Sequence, residues 1–201
     1  IEQNDFNVSG RFSAAVEINE NSDNNIVFNN TLTSIYDGSG VVITYDVLTS
    51  DNNTIENNRI YAEAAGIGIK GGNNNLIKDN LLQLTDYGAA ISFNNYAFNN
   101  TFENNILFIS AAGPNHYIEA TVVSNDNNTI MNTTFKADNN GTILFPQRIT
   151  IPNGAKVNKG NLLISYAQVF MNSSDANVSF LNQSAEITFN NISYSSPQIM
   201  V

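Results

Sequence analysis

Hydrophobic and polar residues alternate in short runs along most of this chain, and the runs end at clusters of Asn, Gly and Asp. Because successive side chains of an extended strand point to opposite faces, a period of about two residues predicts short β-strands, and the clusters are typical of turns. No convincing apolar stripe follows the helical period of about 3.6 residues. We therefore expect an all-β protein. The clearest runs are AAVEINE at 14–20, GVVITYDVL at 40–48, GIGIKG at 66–71, GAAISFNN at 88–95 and HYIEATVV at 116–123.

A longer repeat organises these strands around pairs of asparagines. Its five copies, NNIVFNNTL, NNTIENNRI, NNLIKDNLL, NNTFENNIL and NNTIMNTTF, begin at Asn24, Asn52, Asn74, Asn99 and Asn127. The second Asn of each opening pair forms a column at intervals of 28, 22, 25 and 28 residues, namely Asn25, Asn53, Asn75, Asn100 and Asn128. A second column follows five residues later at Asn30, Asn58, Asn80 and Asn105, where the last copy has Thr133.

A repeat of 22–28 residues that contains only strands suits one coil of a parallel β-helix, whose coils stack about 4.8 Å apart. Equivalent asparagines can then form an amide ladder at an inward corner, each donating to its neighbour's carbonyl oxygen. An unpaired buried amide costs about 1–3 kcal/mol, so such a column is tolerated only where it repeats coil after coil. The first Asn of each pair then points outward.

The Asn-pair register is lost from about Gly141, where the strands become separated by longer turn segments. We expect residues 1–140 to form a parallel β-helix of about five coils and residues 141–201 to form a small C-terminal β-rich module or cap. Repeat proteins need such caps because their terminal coils would otherwise expose apolar surface.

The repeat resembles the NosD-type right-handed parallel β-helix family, most clearly in GIGIKGGNNNLIKDNLL at 66–82, and the resemblance covers roughly residues 10–136. It implies the fold but not one activity, because the family includes carbohydrate-processing enzymes, surface proteins and accessory proteins. FLNQSAEITFNNISYSSPQI at 180–199 is similar to segments that follow such repeats in archaeal cell-surface proteins. That second resemblance implies an archaeal, cell-surface protein.

Composition narrows the choice of partners. With 42% apolar and 13% charged residues the chain should fold, and a net charge of −10 without a basic cluster argues against nucleic acid as a partner. No apolar run approaches the roughly 18 residues of a membrane span. Cysteine is absent, which excludes disulfides and thiolate metal sites. We expect no cofactor.

Candidate catalytic chemistry is sparse. His116 is the only histidine, so this chain has neither a multi-His metal site nor a His-based acid–base pair. Gly66, Gly68 and Gly71 match G-x-G-x-x-G, but no helix follows to bind a pyrophosphate. We therefore assign no catalytic residue and no metal site, and expect a protein that is not an enzyme.

Two alternatives depend on where side chains converge. Paired acids in a groove on the flank would indicate a polysaccharide lyase or hydrolase, and a row of exposed tyrosines would indicate glycan binding. The acids are Asp46, Asp51, Asp79, Asp86, Asp126, Glu56 and Glu103. The tyrosines are Tyr36, Tyr45, Tyr61, Tyr87 and Tyr96.

The N-x-[ST] sequence of N-glycosylation sites occurs eleven times, nearly twice as often as composition predicts. Asn52, Asn99 and Asn127 are outward members of Asn pairs, where a glycan could attach without entering the core. The candidates are Asn7, Asn29, Asn52, Asn99, Asn127, Asn132, Asn140, Asn172, Asn177, Asn182 and Asn191.

These observations predict a non-catalytic extracellular structural protein. It would be a building block of a cell-surface layer, sheath, fibre or adhesin, N-glycosylated and able to associate with itself or with other cell-surface components. End-to-end association is available to a β-helix because its ends expose unpaired backbone groups. The alternative is a β-helix protein that binds or cleaves polysaccharide.

Overall fold

The computed structural model of the chain describes residues 1–44, 49–94, 96–110, 116–120, 127–137, 141–165 and 168–190. Within these ranges the chain forms twenty-two short β-strands and one turn of 3-10 helix at Ser179–Leu181. The strands up to residue 137 build three parallel sheets around an apolar core. The predicted all-β parallel β-helix is confirmed.

Each coil contributes one strand to each sheet. β1 (Asp5–Val8) precedes the first coil, which contains β2 (Ala14–Ile18), β3 (Ile26–Phe28) and β4 (Thr31–Ser34). The second coil contains β5 (Ser39–Thr44), β6 (Thr54–Glu56) and β7 (Arg59–Ala62). The third contains β8 (Ala65–Lys70), β9 (Leu76–Lys78) and β10 (Leu81–Leu84). The fourth contains β11 (Ala89–Phe93), β12 (Thr101–Glu103) and β13 (Ile106–Ile109), and the fifth contains β14 (His116–Ala120), β15 (Thr129–Met131) and β16 (Thr133–Ala137).

The chain passes from sheet C to sheet A to sheet B in every coil. Sheet C contains β2, β5, β8, β11 and β14, sheet A contains β3, β6, β9, β12 and β15, and sheet B contains β1, β4, β7, β10, β13 and β16. The coil is thus three-sided, with a C/A corner before each sheet A strand, an A/B corner after it and a B/C corner before each sheet C strand.

Equivalent residues of successive coils lie opposite one another and form continuous apolar columns. Burying one large aliphatic side chain stabilises the fold by about 1.5–3 kcal/mol, so these columns supply much of the stability. Two of them are Val27, Ile55, Ile77, Phe102 and Ile130 in sheet A, and Leu32, Ile60, Leu82, Leu107 and Phe135 in sheet B.

The A/B corner is two residues long in the first four coils and one residue long in the fifth, and in each of the five coils its first residue is in the left-handed region. Its φ is 54° at Asn29, 55° at Asn57, 57° at Asp79, 55° at Asn104 and 45° at Asn132. Most L-residues resist this conformation, whereas Asn and Asp tolerate it because their short polar side chains bond locally. Each Asn pair at this corner therefore combines an outward residue that makes the turn with an inward residue that bonds between coils.

The C-terminal segment reverses direction and covers the last coil. Its strands are β17 (Gly141–Phe145), β18 (Ile149–Thr150), β19 (Lys156–Asn158), β20 (Leu162–Ser165), β21 (Gln168–Met171) and β22 (Glu186–Phe189). β17, β18 and β19 pair antiparallel with the fifth coil, and β20 and the 3-10 helix pack behind them. Val178 and Leu181 are fully buried there. The expected boundary near residue 140 lies outside the described residues.

Candidate functional site

The inward asparagines form two hydrogen-bonded ladders along the coil axis. At the A/B corner, Asn58 donates to Oδ1 of Asn80 through its backbone N–H at 2.9 Å and through Nδ2 at 3.0 Å. Asn80 makes the same pair of bonds to Asn105, at 3.0 and 3.1 Å. Asn30 enters this ladder above Asn58, and Asn4 extends it toward the N-terminus. Thr133 instead donates to its own corner, to the carbonyl oxygen of Met131.

The ladder at the C/A corner is similar but has one break. Backbone N–H groups donate to the next side-chain oxygen from Asn25 to Asn53, and onward through Asn75 and Asn100 to Asn128. Asn25 is exposed because it stands at the start of the column. Among the described residues, Nδ2 of Asn53 has no hydrogen-bond partner. The other buried inward amides each have at least one hydrogen-bond partner, so the ladders hold the corners.

The outside of the described β-helix has grooves along two of its corners. The larger, about 510 Å³, follows the A/B corner. It is lined by ladder and corner amides with Thr31, Arg59, Asp79, Leu81 and Ile106, and none of its lining residues is aromatic. The smaller, about 220 Å³, lies on sheet C beside the B/C corner. Its lining is Phe12, Asp37, Ser39, Val42, Ala64, Ala65, Gly68, Lys70, Ser92 and Asn94.

The B/C corner beside the smaller groove displays aromatic rings. Phe12, Tyr36 and Tyr87 are 75%, 62% and 48% exposed, and they belong to the first, second and fourth coils. These three residues are called the aromatic corner. Its ends are three coil spacings apart, or about 14 Å. The aromatic corner therefore presents rings along the β-helix axis at the edge of a groove.

Two of these aromatic residues have an unfavourable backbone conformation. φ is 58° at Phe12 and 59° at Tyr36, in the left-handed region that bulky L-residues rarely adopt. Gly or Asn would fit these turns at lower free energy, and an apolar ring gains nothing from lying in water. Strain of this kind is concentrated at functional sites, and Tyr96 at the C/A corner has the same conformation with a φ of 58°.

A charged network holds the aromatic corner together. Arg11 Nε donates to Asp37 Oδ2 at 3.2 Å, and the hydroxyl of Tyr87 donates to Asp37 Oδ1. The guanidinium of Arg11 also lies 4.8 Å from the centre of the Phe12 ring. The backbone N–H of Asp37 donates to Glu63 Oε2 at 3.1 Å. One carboxylate thus connects residues of the first, second and fourth coils.

Hydrogen bonding sets the protonation of this network. The bond from Tyr87 holds the pKa of Asp37 below its ordinary value of 3.8, and the same bond raises the pKa of Tyr87 above 10.0. At neutral pH Asp37 is therefore a carboxylate and Tyr87 a donor. Within the described part of the chain, Lys70 across the groove has no carboxylate within ion-pair distance. The groove combines one available cation with amide and hydroxyl groups.

The acids considered as a catalytic pair are dispersed. Asp51 lies at the C/A corner, Asp79 at the A/B corner and Asp86 at the B/C corner. Glu56 and Glu103 stand on the outer face of sheet A with Lys78 between them, and Lys78 pairs with Glu56 at 3.0 Å. Asp46 and Asp126 lie outside the described residues. Over the described ranges, no three acids or histidines come together as a metal site.

The other singled-out residues lie apart from the aromatic corner. Tyr61 is half-buried on the outer face of sheet B, Tyr96 is exposed at the C/A corner, and Tyr45 lies outside the described residues. His116 is on sheet C in the fifth coil, with Nδ1 3.9 Å from Glu119, whose other oxygen pairs with Lys156 at 3.2 Å. Burial lowers the pKa of His116 below 6.5.

The sequon asparagines are mostly on the surface. Asn177 is half-buried and donates to Asp175 at 2.8 Å. Asn140 and Asn191 lie outside the described residues. Asn7, Asn29, Asn52, Asn99, Asn127, Asn132, Asn172 and Asn182 are exposed.

Sequence reasoning missed Phe12, Arg11, Asp37 and Lys70. The available signal was positional, because Phe12, Tyr36 and Tyr87 each fall in the short turn segment just before a sheet C strand. The sequence analysis also missed the ladder residue Asn4, because the residues around it form the corner but do not contain a complete copy of the repeat.

Comparison with known proteins leaves the family open. No family model matches the chain, and no curated protein matches it. Among solved structures, the crystal structure of the periplasmic alginate epimerase AlgG is 22% identical, with a TM-score of 0.44, over 56% of this chain. The chain spans 27% of the length of that structure. In the described part of the chain, no helix is long and apolar enough to cross a membrane.

Proposed function

We propose that this chain is a non-catalytic protein of the cell exterior whose β-helix binds a polysaccharide along the aromatic corner. The observation that carries the proposal is the exposure in left-handed conformations of Phe12, which lines the sheet C groove, and of Tyr36, which precedes the lining residue Asp37. Aromatic rings offer flat apolar surfaces to the C–H faces of sugar rings, while nearby polar groups orient the hydroxyls.

The geometry of the groove suits a chain rather than a single small molecule. The groove is open, its floor is made of small residues such as Ala65 and Gly68, and the aromatic corner extends along the coil axis for about 14 Å. Ser39, Ser92 and Asn94 supply hydrogen-bonding groups, and Asp37 and Lys70 supply charges of opposite sign. A sugar polymer lying parallel to the axis would contact both the rings and this polar face.

The lining of the sheet C groove supports binding without cleavage. Glycoside hydrolysis needs two carboxyl groups facing one bond, about 5–10 Å apart across the substrate. The described candidates stand on the three corners and on the outer face of sheet A, and Asp37 is the one carboxylate in the described lining of the sheet C groove, with Glu63 and Asp86 at the same B/C corner outside that lining. That carboxylate is already bonded to Arg11 and Tyr87.

Affinity electrophoresis tests the proposal directly. The purified chain is run through gels that contain neutral or uronate-bearing soluble polysaccharides, and the same mixtures are assayed for new reducing ends and unsaturated products. We expect retardation by at least one polysaccharide without cleavage. Retardation by none of the panel, or cleavage of any member, would overturn the proposal.

A structural role in a cell-surface layer, sheath, fibre or adhesin forms the second part of the proposal. It is supported by the continuous core and ladders, which make the coils one rigid body of stacked strands. This part retains the expectation of an archaeal NosD-type surface protein that self-associates. Cryo-electron microscopy of material from the native source should show ordered assemblies, and bare monomers would contradict this part alone.

A further inference from the structure

Sheet A is bordered on both sides by outward asparagines in the left-handed conformation. At the C/A corner φ is 57° at Asn52, 56° at Asn99 and 59° at Asn127. At the A/B corner it is 54° at Asn29 and 45° at Asn132. All five are exposed, and each begins an N-x-T sequence. The strands between the two corners are three residues long, or about 10 Å.

The first residue of each sheet A strand determines which asparagines of the C/A corner belong to a complete N-x-[ST] acceptor sequence. Asn24 and Asn74 occupy the same column in the same conformation, with φ of 60° and 56°. The residue two positions later is the first residue of a sheet A strand. It is Ile26 or Leu76 in those two coils, and Thr54, Thr101 or Thr129 in the others. A column of equivalent backbone sites therefore contains both complete and incomplete acceptor sequences.

The side-chain amides of the outward asparagines also differ from those of the inward asparagines in their hydrogen bonds. Nδ2 of Asn80 donates to three oxygens at 2.8–3.1 Å and is buried. The Asn132 amide makes one exposed bond, to Asn104 at 2.8 Å. N-glycosylation replaces one of the two N–H bonds of Nδ2, so it is compatible with the outward column and incompatible with the ladder.

We propose that sheet A is the glycan-bearing side of this protein, with N-linked chains on the exposed asparagines of its two corners. The B/C corner lies opposite sheet A in the three-sided coil, so the aromatic corner remains open, while the sheet C groove runs from that corner to the C/A end of the sheet C strands. This inference rests on the proposed location outside the cytoplasm. Its consequence is a molecule with one sugar-covered side and one binding side.

The covalent step is a glycosyl transfer by a separate transferase from a sugar carried on a phosphate ester. The bond between sugar C1 and the carrier's phosphate oxygen breaks, and C1 forms a bond to Nδ2 of the asparagine. The leaving phosphate takes up the proton lost from Nδ2. The Thr two residues later stands at the start of the neighbouring strand, next to the acceptor.

Glycopeptide mapping tests the inference on protein from the native source and on the full chain secreted by an N-glycosylating host. We expect glycans at the five sheet A sites and none at Asn7, which lies on β1 of sheet B. Secreted protein that is bare at all five sites, or equal occupancy at Asn7, would overturn the inference. Either result leaves polysaccharide binding, measured on unglycosylated protein, unaffected.

Matched variants test whether a complete acceptor sequence at this exposed corner is sufficient for glycosylation. Thr54→Val should remove the glycan of Asn52, and Thr54→Ser should keep it because Ser also completes the sequence. Leu76→Thr completes the sequence at Asn74 and should add one glycan mass. Failure of Leu76→Thr to gain a glycan in a secreted, folded protein would contradict the equivalence of the column. Glycosylated and deglycosylated forms should be retarded equally by polysaccharide, whereas stronger retardation after glycan removal would contradict the sidedness.

Discussion

Arg11 Nε donates to Asp37 Oδ2 across 3.2 Å and links the first coil to the second at the aromatic corner. The two residues are 26 positions apart in sequence, and stacking of the coils brings them together. The same carboxylate accepts a bond from Tyr87, 50 positions further along the chain from Asp37. The carboxylate of Asp37 therefore positions the ring of Tyr87 directly and the ring of Phe12 through Arg11.

Asp37→Asn should weaken polysaccharide binding with little effect on stability. An amide keeps the shape and tolerates the φ of 61° at this position, but it loses the charge that holds Arg11 and Tyr87. Ion pairs that solvent screens contribute little to stability, so the free energy of unfolding should change only slightly. Affinity electrophoresis and urea unfolding check the two effects. The protein should come from a host without N-glycosylation, because the substitution completes an N-x-S sequence. Unchanged retardation would contradict a role for this network.

Tyr36→Asn should separate stability from binding. Removing a bulky side chain from a left-handed position relieves strain of about 1 kcal/mol, so the free energy of unfolding should stay equal or rise. Loss of one ring contact of about 0.5–1.5 kcal/mol should weaken polysaccharide binding by roughly 2–10-fold.

Tyr96→Asn is the matched control for this variant. Tyr96 is 47% exposed with a φ of 58°, but it lies at the C/A corner, away from the aromatic corner. Isothermal titration should show a loss of binding in Tyr36→Asn alone. An equal loss in both would contradict the assigned site.

Asn80→Ala should destabilise the β-helix by about 3 kcal/mol or more, because several buried groups lose partners at about 1–3 kcal/mol each. Oδ1 of Asn80 accepts two bonds from Asn58, and its Nδ2 donates to the carbonyl oxygens of Ile55 and Lys78. Urea unfolding followed by circular dichroism measures the change. Asn57→Gly, one residue before Asn58 at an exposed left-handed position, should be close to neutral. Similar losses in both variants would contradict the ladder's role.

His116 should make stability fall on acidification. Burial lowers its pKa below 6.5 in the folded protein, so the unfolded chain binds the proton first as the pH falls. The stabilising contribution of neutral His116 is complete above about pH 6.5 and is lost as the pH decreases through the folded-state pKa. Urea unfolding at intervals from pH 8 to pH 5 should show a smaller decline in His116→Gln than in the unsubstituted chain. Parallel curves would show that His116 does not contribute.

The sequence predicted the β-helix because its evidence is local and repeated. Asn53, Asn75 and Asn100 recur at the spacing of one coil, and Ile55, Ile77 and Phe102 recur two residues later. Repetition made the stacking of coils a reliable inference, since only stacking lets such asparagines satisfy one another. The glycosylation candidates remain predictions, as do the domain boundary and the extracellular location.

The aromatic corner could not be predicted in this way. The sequence groups Tyr36 with Tyr61 and Tyr96 as candidates, but the latter two lie on other sides of the coil. Phe12 belongs to no repeated sequence pattern. Which corner a turn residue occupies depends on how many residues each preceding strand and turn uses, and these lengths vary from coil to coil.

By itself, the sequence determined the repeat, the β-strand period, the inward asparagine columns, and the lack of cysteine and of a second histidine. Those properties follow from residue type and spacing along one chain. The tertiary structure alone decided that Phe12, Tyr36 and Tyr87 share an edge with Asp37, that the described candidate acids lie outside the lining of the sheet C groove, and that five sequons border sheet A. The physical reason is that coil stacking brings together side chains about 25 or 50 residues apart in sequence, while the corners direct neighbours in sequence to different faces.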